Sequence, residues 1–403
     1  VEEAENGGLA IGQGRHGGQR IHLGSGVVTG TGGPRSRTLP LLVSVPLFDL
    51  KTPLEPLREE VRARMNEVLD RGVYILGPEG REFEAAFASY LGVKSAIGVG
   101  NGTDAITLAL RALDVKPGDD VVVPSFSFYA SAEAIPHTGA RPVFCDIDPD
   151  TFNVTPDTVK AALTPKTKAV IAVDLFGNPA PAKEIEALGV PVLSDSAQAT
   201  GARRSGIPIG AQSTVTTFSF FPSKNLPGFG DGGAVTTDSD EVAERVRLLR
   251  HHGSKDKGTF SYVGYNSRLD ELQAAGLRVL LPHLDAWAEG RRAAAAHYAD
   301  AGLGDLVTLP TALDDAEPAW HLYVIRHPER DRLANALAAA GIGAKAYYAV
   351  PIHRQPGMRR WGEGVELPAT DEVAATHLAI PMFPTLSAEQ AGTVVDTIRA
   401  ALA

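Results

Sequence analysis

Between residues 95 and 237 the chain alternates short apolar runs with longer mixed segments. Ser95–Val99, Val121–Pro124, Pro142–Ile147, Ala169–Leu175, Pro191–Asp195, Val215–Phe220 and Ala234–Thr237 are each four to seven residues long and rich in Val, Ile, Ala and Phe, as buried strands are. Helical or loop segments separate most of them, which predicts a large α/β domain with a mostly parallel central sheet. Upstream, Val61, Met65 and Leu69 fall four apart and predict a helix from Glu59 to Leu69. A second helix is expected after the turn Gly77-Pro78-Glu79-Gly80, with Phe83, Ala86, Phe87 and Tyr90 on one face. Downstream, a helical run from Asp270 to Tyr298 is broken or kinked by Pro282. The rest reads as a smaller α+β domain. It has a strand at Leu322–Arg326, a helix at Arg330–Ala340 ended by Gly341, and a closing helix. Ser387-Ala388-Glu389-Gln390 is a capping box for that last helix, whose buried face carries Val394 and Ile398. The expected partition is a flexible Gly-rich extension over 1–40, a large domain over 41–285 and a small domain over 286–403.

Composition narrows the function classes. Of 403 residues, 44% are hydrophobic and 21% charged, the balance of a soluble globular protein. The net charge is −10, from 38 basic and 48 acidic residues, and with no basic block the footprint of a nucleic-acid binder is missing. Cys145 is the only cysteine, so an internal disulfide and an all-cysteine metal or iron–sulfur site are excluded, and no metal site is predicted. Neither a signal peptide nor a membrane span is read, and a cytoplasmic location is expected.

Chemistry collects at the ends of the expected strands. Phe218-Ser219-Phe220-Phe221-Pro222-Ser223-Lys224 runs from an apolar strand into a single lysine. Such a residue is ordinarily a surface lysine with its head in water. At the edge of a packed core, desolvation instead favours the neutral amine, which attacks carbonyls to form a Schiff base. Gly100-Asn101-Gly102-Thr103-Asp104 joins a strand to a helix with Ile106, Leu110 and Leu113 on one face. It is either a plain turn capped by Thr or Asp, or an anion cradle at a helix N-terminus. Asp195 closes another strand and Gln198 follows three residues on. That carboxylate caps a turn or holds the proton of a pyridine nitrogen, with Gln198 in reach of a ring hydroxyl. In Phe126-Ser127-Phe128 an aromatic ring serves the core or stacks on a planar ligand. Two matches to a dinucleotide fingerprint, at Gly12–Gly17 and Gly228–Gly233, lack the strand-then-helix context and are set aside.

With these motifs in chain order on successive strand ends, the sequence from about Pro46 to its C-terminus resembles the DegT/StrS-type sugar aminotransferases, pyridoxal-phosphate enzymes of the aspartate-aminotransferase fold (fold type I). The resemblance implies pyridoxal 5'-phosphate as cofactor, Lys224 as the Schiff-base lysine and Ser219, Thr103 and Asp104 as the phosphate site. It also implies Asp195 and Gln198 as partners of the ring nitrogen and hydroxyl, and Phe128 as the stacking aromatic; Ser196 stands where the family more often has Ala. Asn266, in Gly264-Tyr265-Asn266-Ser267-Arg268, resembles the residue that reaches a neighbouring subunit's phosphate, which implies a homodimer with shared sites. Arg268, Tyr347, Tyr348 and His353 are candidates for the substrate side. The implied reaction is ping-pong transamination of a nucleotide-diphospho-keto-sugar in amino-deoxysugar biosynthesis and secondary metabolism, with glutamate as donor. Asn101-Gly102-Thr103-Asp104-Ala105 resembles members that act at C3 rather than C4. A keto-cyclitol or other keto compound is the nearest alternative acceptor. Lys224 and the lone Cys145 disfavour a deoxysugar dehydratase, and the presence of Lys224 and Asp195 disfavours a non-catalytic regulatory protein.

Overall fold

The computed structural model describes residues 45–403. The expected extension over 1–40, with its Gly12–Gly17 motif, lies outside the described residues. The helices used below are α1 (Arg58–Arg71), α2 (Pro78–Leu91), α3 (Gly102–Ala112), α4 (Glu271–Leu280), α5 (Leu284–Asp300), α6 (Arg330–Ala339) and α7 (Ala388–Leu402). The strands used below are β1 (Ser95–Val99), β2 (Asp120–Pro124), β3 (Arg141–Cys145), β4 (Thr167–Val173), β5 (Val192–Asp195), β6 (Val215–Ser219), β7 (Gly233–Thr237), β8 (Tyr323–Arg326) and β9 (His377–Ile380). β1 to β7 form one sheet in the order β1-β7-β6-β5-β4-β2-β3.

Strands β2 to β6 pair in parallel along this sheet, and β7 lies antiparallel between β6 and β1. β1 therefore points the same way as β6, and the C-terminal ends of every strand except β7 share one edge. Open parallel sheets bind ligands at that edge. Every residue of β1, β2, β5, β6 and β7 is buried, because helices cover both faces and both side-chain sets must be apolar or paired. A separate antiparallel pair, β8 with β9, packs its Tyr323, Ile325, Leu378 and Ile380 with Leu333 and Leu337 of α6 and Val394 and Ile398 of α7. The expected capping box of α7 is complete, with Ser387 and Gln390 each bonding the other's backbone N–H. Pro282 falls in a 3-10 turn, Leu281–His283, that separates α4 from α5.

Three details differ from the sequence reading. Gly77-Pro78-Glu79-Gly80 is the first turn of α2 itself, with Pro78 at N1, where its missing N–H costs nothing. On α2, Ala86 faces outward, and Ala88 and Leu91 join Phe83 and Phe87 on the buried face. On α1 it is Val68, seven residues and about two turns from Val61, that is buried, while Leu69 is 52% exposed.

The N-terminus of α2 is held by a residue far away in sequence. Glu271, fully buried at the start of α4, accepts N–H bonds from Gly77 and Gly80 on Oε1 (2.8 and 2.9 Å) and from Glu79 on Oε2 (2.9 Å). The carboxylate satisfies three donors that have no partner inside the helix and sits against its positive end. Glu271→Ala should therefore destabilise the protein by about 3 kcal/mol, read as a lower thermal midpoint. Arg62→Ala, which breaks an exposed pair with Glu59 at 2.6 Å, should move the midpoint little. Equal effects of the two substitutions would contradict the capping role.

Candidate active site

Lys224 is placed by β6. Residues two apart on a strand share a face, and Phe218 and Phe220 are both fully buried against α2. The Phe220 ring meets Phe83 edge-on at 5.4 Å, and Phe218 meets Phe87 at 5.1 Å. Burying two such rings contributes roughly 2–3 kcal/mol each. Ser219, between them, must face the other way, toward the turn before α3. A Cβ on Gly102 would lie 2.8 Å from the Cβ of Ser219, and one on Gly233 would lie 2.5 Å from the Asn101 carbonyl oxygen. Only glycine allows these approaches. Beyond Ser219 the chain is tied back on itself. Phe220 donates its N–H to the Gly232 carbonyl (2.8 Å), Gly228 donates to the Phe220 carbonyl (2.6 Å), and the Lys224 N–H bonds the Phe221 carbonyl (2.8 Å). Lys224 thus rides on a closed loop at the sheet edge. The Gly228–Gly233 motif runs into strand β7, not a helix.

The turn that Ser219 faces opens α3. Asn101, not Thr103 or Asp104, is its cap: the Asn101 side chain accepts the Asp104 N–H at 2.8 Å. Thr103 and Asp104 occupy the first helical turn and are half-buried, with the positive end of the helix behind them.

Asp195 ends β5, the strand beside β6. It is 5% exposed and accepts the Ser131 hydroxyl on Oδ2 (2.7 Å) and the Ala197 N–H on Oδ1 (3.2 Å). Burial pushes its carboxyl above the ordinary carboxylate range, and those two bonds and the Lys224 charge pull it back. Gln198 is equally buried. Its Oε1 accepts the Phe176 N–H at 2.7 Å, which fixes the amide so that Nε2 donates to the Tyr348 hydroxyl at 3.0 Å. The Tyr348 ring lies 5.9 Å from Phe128, tilted by 44°. Phe126 is fully buried and Phe128 is 45% exposed, so Phe128 is the ring of this pair that presents a surface. Gln198, Tyr348 and Phe128 therefore form one wall, contiguous with Asp195.

The remaining candidates are more scattered. Ser267 accepts the Gly100 N–H at 2.9 Å and so docks the 264–268 segment beside the α3 turn. Asn266 is exposed and bridges to His251, whose Nδ1 faces Arg268 Nη1 at 3.4 Å. Tyr347 carries the Lys345 ammonium 4.7 Å above its ring. His353 is 3% exposed, with Nδ1 2.6 Å from the Ser125 hydroxyl and Nε2 accepting from Arg354 at 3.3 Å. Burial holds its pKa below the usual histidine value. Both ring nitrogens are engaged, which leaves neither for a substrate in this conformation.

Sequence reasoning missed a second layer around Lys224. His321 is buried and kept neutral by burial and by the Lys224 charge. Asn225 donates from Nδ2 to the Ala319 carbonyl at 2.8 Å and so ties the lysine's neighbour to the same segment. Asp174, after β4, is 2% exposed and accepts the Ser196 hydroxyl at 2.5 Å. The one signal in the sequence was Ser196, noted only as a departure from the family pattern.

Residues 55–399 match the model of the DegT/DnrJ/EryC1/StrS aminotransferase family. The chain belongs to that family. It is 45% identical over 364 residues to a dTDP-3-amino-3,4,6-trideoxy-alpha-D-glucose transaminase of Streptomyces venezuelae, covering 88% of this chain and 95% of that protein. It is also 45% identical over 365 residues to a Geobacillus stearothermophilus protein named a pleiotropic regulatory protein, covering 88% and 98%. Among solved structures, that of S. venezuelae DesV in complex with a ketimine intermediate matches with a TM-score of 0.85 and 44% identity, over 89% of this chain and 98% of that one. The fold is that of the fold type I aminotransferases, and the protein is a pyridoxal-phosphate-dependent aminotransferase.

The residues present fit that cofactor. A buried carboxylate whose protein partners, apart from the Lys224 charge, are neutral donors suits a protonated ring nitrogen. The turn beside Ser219, where a Cβ on Gly102 would strike Ser219, lies at a helix end suited to phosphate. Gly102→Ala, which drives a methyl into Ser219, should weaken pyridoxal phosphate binding roughly tenfold or more, measured by cofactor titration of the apoprotein. Unchanged affinity would contradict this placement of the phosphate.

Proposed function

We propose that the protein transfers an amine to the keto group of a nucleotide-diphospho sugar, the 3-keto isomer ahead of the 4-keto, with glutamate as donor, in amino-deoxysugar biosynthesis. The observation that carries the reading is a buried Asp195 at the end of β5, on the strand paired with the β6 that leads into the Lys224 loop, near enough for the lysine's charge to act on the carboxylate. Pyridoxal phosphate, when bound, supplies the electron sink for breaking a C–H bond beside an amine. In this reading Asp195 holds a proton on the ring nitrogen, and Gln198 orients the ring hydroxyl. Phe128 covers a ring face, and Ser219, Thr103 and the α3 N-terminus bind the phosphate. Lys224 would hold the cofactor through its Nζ and would serve as the base that moves the proton in the C–H step. Arg268, Tyr347 and Tyr348 face the sugar nucleotide.

The 3-keto preference rests on the Asn101–Ala105 turn and on the S. venezuelae relative, which is named for a 3-amino sugar. The relative named as a regulator does not turn the reading toward a non-catalytic role, because Lys224 and Asp195 are both in place. A panel of 3-keto and 4-keto sugar nucleotides and a keto-cyclitol, each with several amino donors and products identified by NMR, tests the assignment. Turnover of the 3-keto sugar nucleotide with glutamate is expected. Efficient turnover of only the 4-keto isomer, or only the cyclitol, would overturn it.

The same reading makes the enzyme a homodimer in which Asn266 of one subunit completes the other's phosphate site. Leu69, Val73, Tyr74, Ile75 and Phe229 are exposed, and Phe229 packs near Gly276 of α4 and Met65 of α1, so these apolar side chains lie around one face suited to a second copy. The rival is that Asn266 serves its own chain, since Ser267 already docks beside Gly100. Mixing Lys224→Ala protein with an Asn266→Ala/Arg268→Ala protein, once subunit exchange is verified, distinguishes them. Shared sites restore about a quarter of wild-type activity, because half the dimers are mixed and each has one intact site. Self-contained sites restore none.

A further inference from the structure

The mechanism above uses one of two buried carboxyls at this sheet edge. β4 and β5 run parallel, with Val173 opposite Asp195, so the residue after β4, Asp174, stands beside the end of β5. Its N–H bonds the Asp195 carbonyl at 3.0 Å. Its side chain takes two donors, the Ala180 N–H on Oδ1 (2.7 Å) and the Ser196 hydroxyl on Oδ2 (2.5 Å). Ser196 is itself fully buried and directly follows Asp195. One hydroxyl thus joins the second carboxyl to the backbone that aims the first.

We propose that Asp174, held by Ser196, is a positioning residue that acts through Asp195, placing a second negative charge behind the carboxylate that faces the cofactor's ring nitrogen and so tightening the hold on the proton there. This rests on the role given to Asp195 above. Two buried acids whose charges act on each other do not ionise independently. The charged groups that reach Asp174 are Asp195, from the neighbouring strand, and Arg204, from the short strand Arg203–Arg204; Lys224 acts on Asp195 in turn. Burial pushes Asp174 up to about 7, against the bonds from Ala180 and Ser196. Its charge therefore changes near neutral pH.

The direction of each substitution follows. Asp174→Asn removes the second charge. Ser196→Ala removes a donor that favours the ionised form, so Asp174 keeps its proton to higher pH and the charge is again lost near neutrality. In both variants the protonated form of the bound cofactor is less favoured.

The test is a pH titration of the ring-nitrogen NMR signal of holoenzyme loaded with pyridoxal phosphate carrying 15N in its ring, for wild type, Asp174→Asn, Ser196→Ala and the double variant, with thermal midpoints measured alongside. The expected result is a midpoint lowered by roughly half a unit or more in Asp174→Asn, a smaller shift of the same sign in Ser196→Ala, and a double variant equal to Asp174→Asn alone. If Asp174→Asn does not fold, the Ser196→Ala shift decides by itself. A ring-nitrogen midpoint that is the same in every folded variant overturns the proposal. So does additivity in the double variant, because Ser196 would then not act through Asp174. Absence of a visible cofactor band from cofactor-treated wild type would instead overturn the cofactor reading beneath the proposal, and the proposal with it.

Discussion

Ser219 faces the α3 turn because Phe218 and Phe220 cannot. A strand gives alternate residues to opposite faces, and the two phenylalanines are committed to the rings of α2. A one-residue slip of β6 would bury Ser219 among Phe83 and Phe87 and turn both rings toward Gly102, where there is no room even for a methyl. Register is therefore set by packing on one side and by the glycine approach on the other. Everything downstream, including the tied loop that carries Lys224, inherits its position from that register.

The second constraint is electrostatic. The parallel sheet brings Asp174, Asp195, Ser219 and the α3 turn to a single edge and buries the first three, so each of those polar groups needs a partner. Asp195 and Asp174 are satisfied by neutral donors from Ser131, Ala197, Ala180 and Ser196. Those bonds leave both carboxyls raised by burial. A cofactor with a basic ring nitrogen meets this environment as its missing cation, and binding energy and proton affinity are then linked.

Much of this was legible in the sequence because the signals are local. Short apolar runs, a helix broken at Pro282 and the Ser387–Gln390 box each declare themselves within a few residues. The strand-end motifs around Thr103, Asp195 and Lys224 were legible as types, although Asn101 rather than Thr103 or Asp104 caps α3. Illegible were the pairings between distant positions. Glu271 caps a helix that begins at Pro78, and no pattern within either segment announces it. Ser196 and Asp174 lie 22 residues apart and meet only because β4 and β5 are neighbours. His353 showed the same limit, since its engagement with Ser125 depends on a contact across 228 residues. On α1 and α2, spacing identified the helices but chose Leu69 and Ala86 where the packed faces use Val68 and Ala88.

The central claim is that the lysine delivered by β6 is the point of cofactor attachment. Borohydride reduction of the holoenzyme followed by proteolysis and mass spectrometry tests it directly. The account predicts a pyridoxyl adduct on the peptide containing Lys224 and on no other lysine. An adduct placed on a different lysine, with Lys224 unmodified, would contradict it.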